Sequence, residues 1–297
     1  MNSKLILIIY YQQIKPFNKL KPLRNTVKSF IECFKKFSNH IVFYHNACLV
    51  LPENFKKIKW DLVVFHTTFL ITRYNQFLFK ELTSKLSFFK NKNFLKVAIP
   101  QDEGGGGEFL CKFLKNFRVT VVFTQLYEDK DIKIVYKDVV SSINFEKVLS
   151  GYIDNTEIKK FSNFSKNKSN DFIYRTFSAK SRNGSLGHKK ILLGEFFLKQ
   201  LKKNKFKYDI SVNVKDTLFS TKWIKSVSNA KYTIGVEGGS SLYDPVYRLR
   251  DKCLEYEKKY PMSSFQQIEK NCFKGLDKKI SGAVITPRMF EAAMAKT

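Results

Sequence analysis

Two predicted strand-to-helix junctions in the last quarter of the chain carry residue types that bind phosphate. Residues 231–236 are β-branched and apolar, as in a strand, and they open into the glycine- and serine-containing turn 237–240. Residues 283–286 predict a second short strand, after which Pro287 begins a helix that carries Glu291. In parallel α/β sheets, anionic ligands lie beyond the carboxyl ends of strands, where helix N-termini offer N–H groups. The spacing therefore predicts a site for a phosphorylated ligand.

A basic, glycine-containing segment lies upstream, at the start of another predicted helix. Residues 171–175 predict a strand that ends in an arginine, and residues 180–190 combine glycines with basic side chains just before an apolar helix. Glycines, basic residues and a helix N-terminus in one place form a seat for pyrophosphate. Which of Arg182, Lys189 and Lys190 contacts phosphate stays open, and a solvated basic helix start is the alternative interpretation.

Together these segments resemble the donor-binding half of GT-B glycosyltransferases, which use nucleotide sugars and build surface polysaccharides such as lipopolysaccharide. The resemblance implies that a carboxylate on the helix after a late strand, here Glu291, holds the nucleotide ribose. It also implies that an arginine and a lysine near the opening of the second domain neutralise the donor diphosphate. The expected donor-binding residues are Arg175, Lys189, Lys190, Glu237, Gly238, Gly239, Ser240, Arg288 and Glu291. The implied reaction moves a sugar to a hydroxyl of a glycan or lipid-linked acceptor, with the nucleotide sugar as donor substrate and no metal or cofactor.

Two carboxylates and a histidine at the ends of earlier predicted strands are candidates for acceptor-side chemistry. Residues 95–99 predict a strand that leads to Asp102 and Glu103, which four glycines follow. An exposed carboxylate on such a turn suits a general base that takes the proton of an acceptor hydroxyl, whereas the alternative is that these acids cap the next helix. His66 stands at the end of the predicted strand 61–65, where it either contacts the acceptor, acts as base or forms structural hydrogen bonds.

The order of predicted elements indicates an α/β fold. Short apolar strands alternate with helices, and residues 5–10 are apolar on both faces, which places them centrally in a parallel sheet. With the GT-B resemblance, this pattern predicts two Rossmann-like, doubly wound domains that face each other across a cleft. The domains are expected at 1–152 and 171–297, joined by a polar linker at 153–170, with a short helix near 144–149 closing the first. Because the helical pattern runs to the last residue, the C-terminal domain is expected to be truncated relative to GT-B enzymes.

The chain is strongly basic, and its basic residues are mostly lysine. It carries 53 basic and 26 acidic residues, a formal net charge of +27, and only eight of the basic residues are arginine. Lysine is a hydrated point charge, and no nucleic-acid-binding motif is present, so nucleic acid is not the expected partner. The charge instead predicts attraction to anions, including acidic lipid head groups. The alternative function is a non-enzymatic, lysine-rich protein that binds RNA or a polyanionic glycan.

The remaining sequence features bear on location and on other enzyme classes. Five cysteines without a C-x-x-C pair fit a reducing cytoplasm, and no apolar run is long enough to span a bilayer. The expected location is cytoplasmic, with peripheral contact at the inner face of the cell membrane. Asp129-Lys-Asp131 has the spacing of the metal-binding pair of GT-A enzymes but lies in a polar turn, and no G-x-G-x-x-G motif follows the first strand. Metal-dependent GT-A transfer and nicotinamide chemistry are therefore less favoured.

Overall fold

The computed structural model describes residues 3–16, 19–21, 23, 25–153, 155–164, 168–176 and 181–297. The chain divides into two compact units. Unit 1 comprises Met1–Val148 together with Asp244–Tyr247, and unit 2 comprises Leu149–Tyr243 and Arg248–Thr297. The tetrapeptide from the late part of the chain is a component of unit 1 that the sequence pattern does not predict.

Unit 1 contains a six-stranded parallel sheet. In chain order its strands and helices are β1 (Leu5–Tyr10), β2 (Ile14–Lys15), β3 (Lys19–Leu20), α1 (Asn25–Lys36), β4 (Ile41–Asn46), α2 (Glu53–Lys57), β5 (Leu62–Phe65), α3 (Thr67–Leu70), α4 (Gln76–Lys85), β6 (Leu95–Ala98), α5 (Gly107–Phe117), β7 (Val121–Thr124), α6 (Asp129–Val135) and β8 (Asn144–Lys147). The strand order is β4-β1-β5-β6-β7-β8, and β2 and β3 form a separate antiparallel hairpin.

The first strand lies inside the sheet, as its two apolar faces predict. Ile6 and Ile8 pack with Val64 and Val97 on one face, and the alternate residues of β1 are also fully buried. Because β4 pairs with β1 on one side and β5 pairs with it on the other, the chain reverses its direction of winding at β1. Ligands of such sheets bind beyond the carboxyl ends of strands at this switch point.

Unit 2 contains a smaller parallel sheet. Its elements are α7 (Asn155–Ser162), β9 (Asn170–Arg175), α8 (Gly184–Leu201), β10 (Tyr208–Ser211), α9 (Ser220–Ser228), β11 (Ala230–Thr233), β12 (Gly238–Gly239), α10 (Arg248–Lys259), α11 (Phe265–Ile268), β13 (Ala283–Val284) and α12 (Pro287–Ala295). The three parallel strands have the order β10-β9-β11, and β12 pairs with β13 antiparallel outside this sheet. Both units therefore have the α/β architecture of Rossmann-like domains.

The structure differs from the predicted linker at 153–170. Residues 155–162 form helix α7, and its Phe161 is buried in the core of unit 2 with Ile173 and Val227. Ile158 packs against the same cluster, so two apolar residues three positions apart give a polar segment one buried face. Residues 154 and 165–167 of the predicted linker lie outside the described residues.

Two other predicted elements have a different form in the structure. The segment expected as a second strand of the phosphate-binding sheet is β13, which pairs antiparallel with Gly238–Gly239 rather than joining the parallel strands. The segment near 144–149, expected to be helical, contains β8, the edge strand that pairs with β7. Within the part of the chain that the structure describes, no helix has the length and apolar character needed to cross a membrane.

Candidate functional site

Arg175 is positioned at the carboxyl end of the central strand of the unit 2 sheet. Its Nη2 forms an ion pair with Asp209 of the neighbouring strand β10, and its Nη1 donates to the backbone carbonyl of Asp216 at 2.7 Å. Asp209 also accepts a hydrogen bond of 2.6 Å from Ser226. About 21% of the Arg175 side chain is exposed. The guanidinium is therefore held in one orientation at the edge where ligands of parallel sheets bind.

A pocket of about 660 Å³ opens beside Arg175. Its lining is Arg175, Lys215, Asp216, Thr217, Leu218, Phe219, Ser220, Thr221 and Lys222. Helix α9 begins in this lining, and no side chain caps its first turn. Ser220, its first residue, has φ of 50°, a conformation that L-residues seldom adopt. The pocket thus joins three cationic side chains to uncapped helix N–H groups, which together favour an anion.

The start of α12 brings further predicted residues to the same strand end. Arg288 donates to the backbone carbonyl of Arg175, and its guanidinium lies over the Trp223 ring at 5.5 Å from the centroid. The indole nitrogen of Trp223 donates to Glu291 Oε2 at 2.7 Å. Burial raises the pKa of Glu291, while this hydrogen bond and the charge of Arg288 lower it. Arg175, Arg288, Glu291 and Trp223 therefore form one connected set, called the α12 cluster below.

Trp223 is the member of the α12 cluster that sequence reasoning did not select. It lies on α9, a helix whose apolar side also provides Ile224 and Val227 to the core of unit 2. A tryptophan on a short helix is usually interpreted as core packing. The signal available in the sequence was its position directly after Ser220, Thr221 and Lys222, which combine two hydroxyl groups with a cation. That signal does not reveal its partner Glu291, which lies 68 residues later.

The predicted pyrophosphate seat at the start of α8 is occupied by a carboxylate of the protein itself. Both oxygens of Asp277 accept from the backbone N–H of Ser185 at 3.2 Å, and Oδ1 accepts from the Ser241 hydroxyl at 2.7 Å. The Ser241 Oγ in turn accepts from Leu186 N–H at 3.1 Å. Partial burial raises the pKa of Asp277, but the hydrogen bonds from Ser185 and Ser241 outweigh it and lower the pKa below its usual value. The helix start is thus satisfied internally.

The two predicted lysines of α8 come after the first turn of that helix. Lys189 is exposed, Lys190 is half-buried, and both follow the first turn of the helix. The backbone carbonyl of Lys190 accepts a hydrogen bond of 2.8 Å from Tyr174. Arg182 is exposed in the short turn before α8, and residues 177–180 of the predicted segment lie outside the described residues. A diphosphate role for these lysines gains no support from the helix start.

The glycine turn 237–240 has a packing reason of its own. Gly238 and Gly239 form β12, and a Cβ at Gly239 would lie 1.9 Å from the carbonyl oxygen of Gly282. Gly239 also has φ of 95°, a region that favours glycine. Ser240 donates to the Leu242 carbonyl at 2.8 Å, and Glu237 is exposed. These glycines permit close approach of two backbone segments.

Asp102 and Glu103 are adjacent in sequence but have opposite environments in unit 1. Glu103 is 4% exposed; its Oε1 accepts from the Thr124 hydroxyl at 2.6 Å and from the Tyr136 hydroxyl, and its Oε2 accepts from Gln125 N–H at 2.9 Å. Burial raises the pKa of Glu103 against the effect of these hydrogen bonds. Glu103 therefore has the environment of a structural residue rather than that of a base that meets a substrate.

Asp102 presents its carboxylate to solvent from a strained backbone. Its φ is 55°, and its carbonyl oxygen accepts from Arg73 Nη2 at 2.9 Å and from the Tyr74 hydroxyl at 3.0 Å. Arg73 is fully buried and also donates to the carbonyls of Gln101 and Gly105. Strained residues held by their surroundings are frequent at functional sites. Of the two adjacent acids, Asp102 has the accessibility that a base requires.

His66 is enclosed at the end of β5. It is fully buried, its Nδ1 accepts from Thr68 N–H at 3.2 Å, and its ring meets Phe30 edge to face at 4.8 Å. Burial lowers the pKa of His66 to about 4, so the ring is neutral at physiological pH. Its Nε2 has no hydrogen-bond partner among the described residues. This geometry makes His66 the N-cap of α3, the structural alternative that its position left open.

Comparisons with known proteins do not identify a function for the chain. No family model matches the chain, no curated protein is similar to it, and no solved structure matches it. Among the described residues, no group of three or more His, Cys, Asp or Glu side chains has the arrangement of a metal site. What the structure itself provides is a cationic, tryptophan-supported strand end in unit 2 and an exposed, positioned carboxylate in unit 1.

Proposed function

We propose that the chain is a GT-B-type glycosyltransferase that moves a sugar from a nucleotide-sugar donor to a hydroxyl of a glycan or lipid-linked acceptor. The observation that carries the proposal is the α12 cluster, because it combines the three groups that a nucleoside diphosphate requires. Two guanidinium groups serve the diphosphate, and a half-buried carboxylate serves the ribose hydroxyls. The Trp223 indole contacts both Arg288 and Glu291, so it holds the guanidinium and the carboxylate at a fixed separation.

The proposed reaction needs stabilisation of a leaving diphosphate. When the acceptor oxygen bonds to the anomeric carbon, the bond from that carbon to the diphosphate oxygen breaks, and its electron pair remains on the nucleoside diphosphate. Arg175 and Arg288 are fixed cations at the strand end, and fixed charges that face developing negative charge lower the barrier without reorganisation. Cationic side chains therefore supply what a divalent ion supplies in metal-dependent transferases.

The acceptor hydroxyl must lose a proton during the transfer. Asp102 is the candidate base because its carboxylate is exposed while its backbone is held by Arg73 and Tyr74. Glu103 is not assigned this role, since its carboxylate is consumed by three internal hydrogen bonds. His66 is not assigned it either, since the ring is enclosed. The proton passes from the acceptor oxygen to the Asp102 carboxylate.

The test of the donor site measures thermal stability with a panel of nucleoside diphosphates, nucleotide sugars and bare nucleosides. A ligand that binds only the folded chain stabilises it by about 2.7 kcal/mol at one hundred times its Kd. Nucleotides that carry the matching base should therefore raise the Tm. Arg288→Gln should remove most of the diphosphate effect and leave that of the nucleoside. Arg182→Gln removes the same charge from an exposed arginine before α8 and serves as the control. A panel without any stabilising nucleotide, or equal losses in both variants, would contradict the proposal.

The base is tested with the donor found in that panel. Asp102→Asn should lower turnover by about a hundredfold or more while the donor Kd stays unchanged, because a base acts in the chemical step alone. Glu103→Gln should instead lower the free energy of unfolding, because one oxygen of the buried carboxyl group becomes an amide nitrogen, which cannot accept a hydrogen bond. Full turnover in Asp102→Asn would remove Asp102 from the mechanism without affecting the donor-site assignment.

A further inference from the structure

Unit 1 has a surface that combines exposed aliphatic side chains with lysines and that the proposed reaction does not use. It consists of Lys15, Leu20 and Lys21 on the β2–β3 hairpin and of Leu49 and Val50 in the turn after β4, and is called the hairpin–turn surface. The exposed fractions are 50% for Leu20, 52% for Leu49 and 77% for Val50. Lys15 and Lys21 are exposed as well. At least half of the surface of each aliphatic residue is therefore accessible to solvent.

Hydrogen bonds through one buried amide hold the hairpin and the turn together. Asn46 is 5% exposed, and its Oδ1 accepts from the backbone N–H of Gln12 at 3.1 Å and of Cys48 at 3.2 Å. Its Nδ2 donates to the Gln12 carbonyl at 2.8 Å. The Gln12 side chain then donates to the Lys21 carbonyl at 2.8 Å, which closes the base of the hairpin. The hairpin and the turn are therefore tied to each other by hydrogen bonds, which keeps their exposed residues in neighbouring parts of unit 1.

The sequence of the hairpin and of the turn is rich in basic residues and poor in acidic ones. Residues 11–31 contain five basic residues and no acidic residue, and residues 41–52 contain no Lys, Arg, Asp or Glu. Lys85 Nζ donates to the Cys48 carbonyl at 3.2 Å, but its charge is paired with that of Glu81 at 2.7 Å, so among the described residues the unpaired cations of this surface are Lys15 and Lys21. The surface therefore combines exposed aliphatic residues with exposed lysines, as do segments that bind at the boundary between lipid head groups and acyl chains.

We propose that the hairpin–turn surface docks the protein on a membrane that exposes anionic lipid head groups. Lysines attract such head groups, and Leu49 and Val50 can enter the apolar boundary below them. A second copy of the chain fits poorly, because self-pairing would bring the lysines of both copies together. Leu20, Leu49 and Val50 offer no aromatic ring on which a nucleic-acid base could stack, so these three residues favour the acyl boundary over single-stranded nucleic acid. The surface would place a lipid-linked acceptor near unit 1, but its docking does not depend on the identity of the reaction.

The experiment measures binding of the full chain to vesicles by flotation. Vesicles of phosphatidylcholine with an equal part of phosphatidylglycerol are compared with vesicles of phosphatidylcholine alone. The protein should float with the anionic vesicles only. Val50→Asp and the pair Lys15→Glu/Lys21→Glu should each lower the partition coefficient by at least about tenfold, the first by removing apolar insertion and the second by reversing local charge.

Matched variants in unit 2 separate this surface from general electrostatic attraction. Met262→Asp introduces the same charge at a residue that is 95% exposed, and Lys202→Glu/Lys203→Glu reverses two exposed lysines at the end of α8. Both controls should keep binding within about twofold of the original chain, because neither of them changes a residue of the hairpin–turn surface. The proposal is overturned if the chain ignores anionic vesicles, or if the control variants lose as much binding as the surface variants. Retention on an RNA homopolymer that depends on Lys15 and Lys21, with vesicle binding insensitive to Val50→Asp, would assign the surface to nucleic acid and also overturn it.

Discussion

The starts of helices α8 and α12 in unit 2 look alike in sequence and differ in what they leave open. Each follows a predicted strand or turn and has a basic residue close to its first turn. At α8 the backbone N–H of Ser185 donates to Asp277, which lies 92 residues later in the sequence. At α12 no side chain caps the first turn, and Arg288 and Glu291 extend to the end of β9 and to Trp223.

A helix N-terminus can accept a ligand only when the fold does not fill it, and of these two starts the α8 start is filled. The same backbone groups attract a carboxylate of the protein and a phosphate of a ligand for the same electrostatic reason. A carboxylate of the chain that accepts from these N–H groups stabilises the fold, whereas N–H groups without such an acceptor can still bind an anionic ligand. Changes at α8 should therefore alter stability, and changes at α12 should alter ligand affinity.

The largest expected effect is on stability, at the glycine that admits Asp277. Gly184 has φ of 65°, and a Cβ there would lie 2.2 Å from Asp277 Oδ1 and 2.6 Å from Ser241 Oγ. Gly184→Ala should lower the free energy of unfolding by about 3 kcal/mol, measured by urea denaturation. Gly275 has φ of 72° with no atom within 4 Å of the added Cβ, so Gly275→Ala should cost about 1 kcal/mol. Equal costs at both glycines would show that Asp277 does not fill the α8 start.

The next effect is on ligand affinity, at the carboxylate of the α12 cluster. Glu291→Gln should weaken binding of the matching ribonucleoside diphosphate by about 2 kcal/mol, since a charged hydrogen bond to the ribose becomes neutral. Calorimetry with the 2′,3′-dideoxy analogue supplies the control, because a ligand without those hydroxyls should bind both proteins equally. If the variant loses the same affinity for both nucleotides, Glu291 acts on another part of the ligand.

A moderate effect is expected when the internal carboxylate is removed. Asp277→Ala should cost about 1.5 kcal/mol, because Ser185 N–H and the Ser241 hydroxyl lose their acceptor. The lowered pKa of Asp277 means that its contribution is present above the unfolded-state pKa of 3.8 and is lost as the pH falls through the folded-state value. The stability gap between the two proteins should therefore close in acid.

Sulfate gives a further test of the same helix start. With Asp277 removed, an anion can approach the N–H groups of α8, so sulfate should restore part of the stability of Asp277→Ala beyond its effect on the unchanged chain. An identical salt response in both proteins would mean that the α8 start does not bind anions even when it is vacated.

The smallest effect is expected at the lysines of α8. Lys189→Gln and Lys190→Gln should each change nucleoside diphosphate affinity by less than about 0.5 kcal/mol, since Asp277 rather than a ligand occupies the start of their helix and charges that solvent reaches contribute little. A loss of ten-fold or more in calorimetry would return these lysines to the diphosphate site and would weaken the contrast between the two helices.

Long-range contacts explain why several residue roles did not follow from the sequence. The sequence predicts Glu103 as an exposed acid on a glycine turn. In the structure it is enclosed by Thr124 and Tyr136, which lie 21 and 33 residues later in the sequence. Helix α7 reads as a linker because its polar composition conceals one buried face. β8 reads as helical because an edge strand of four residues has too few positions to show a period of two.

The sequence by itself determined the α/β class, the buried central strand β1 and the position of a helix that begins at Pro287 and carries Arg288 and Glu291. These follow from hydrophobic periodicity, proline and local spacing, which act within a few residues. Only the tertiary structure decided that Asp277 fills one helix start, that Trp223 joins Arg288 to Glu291, and that Asp102 rather than Glu103 is accessible. Those outcomes depend on contacts between groups that are far apart in the sequence. Burial makes such hydrogen bonds important for stability, and the local sequence does not indicate which groups will form them.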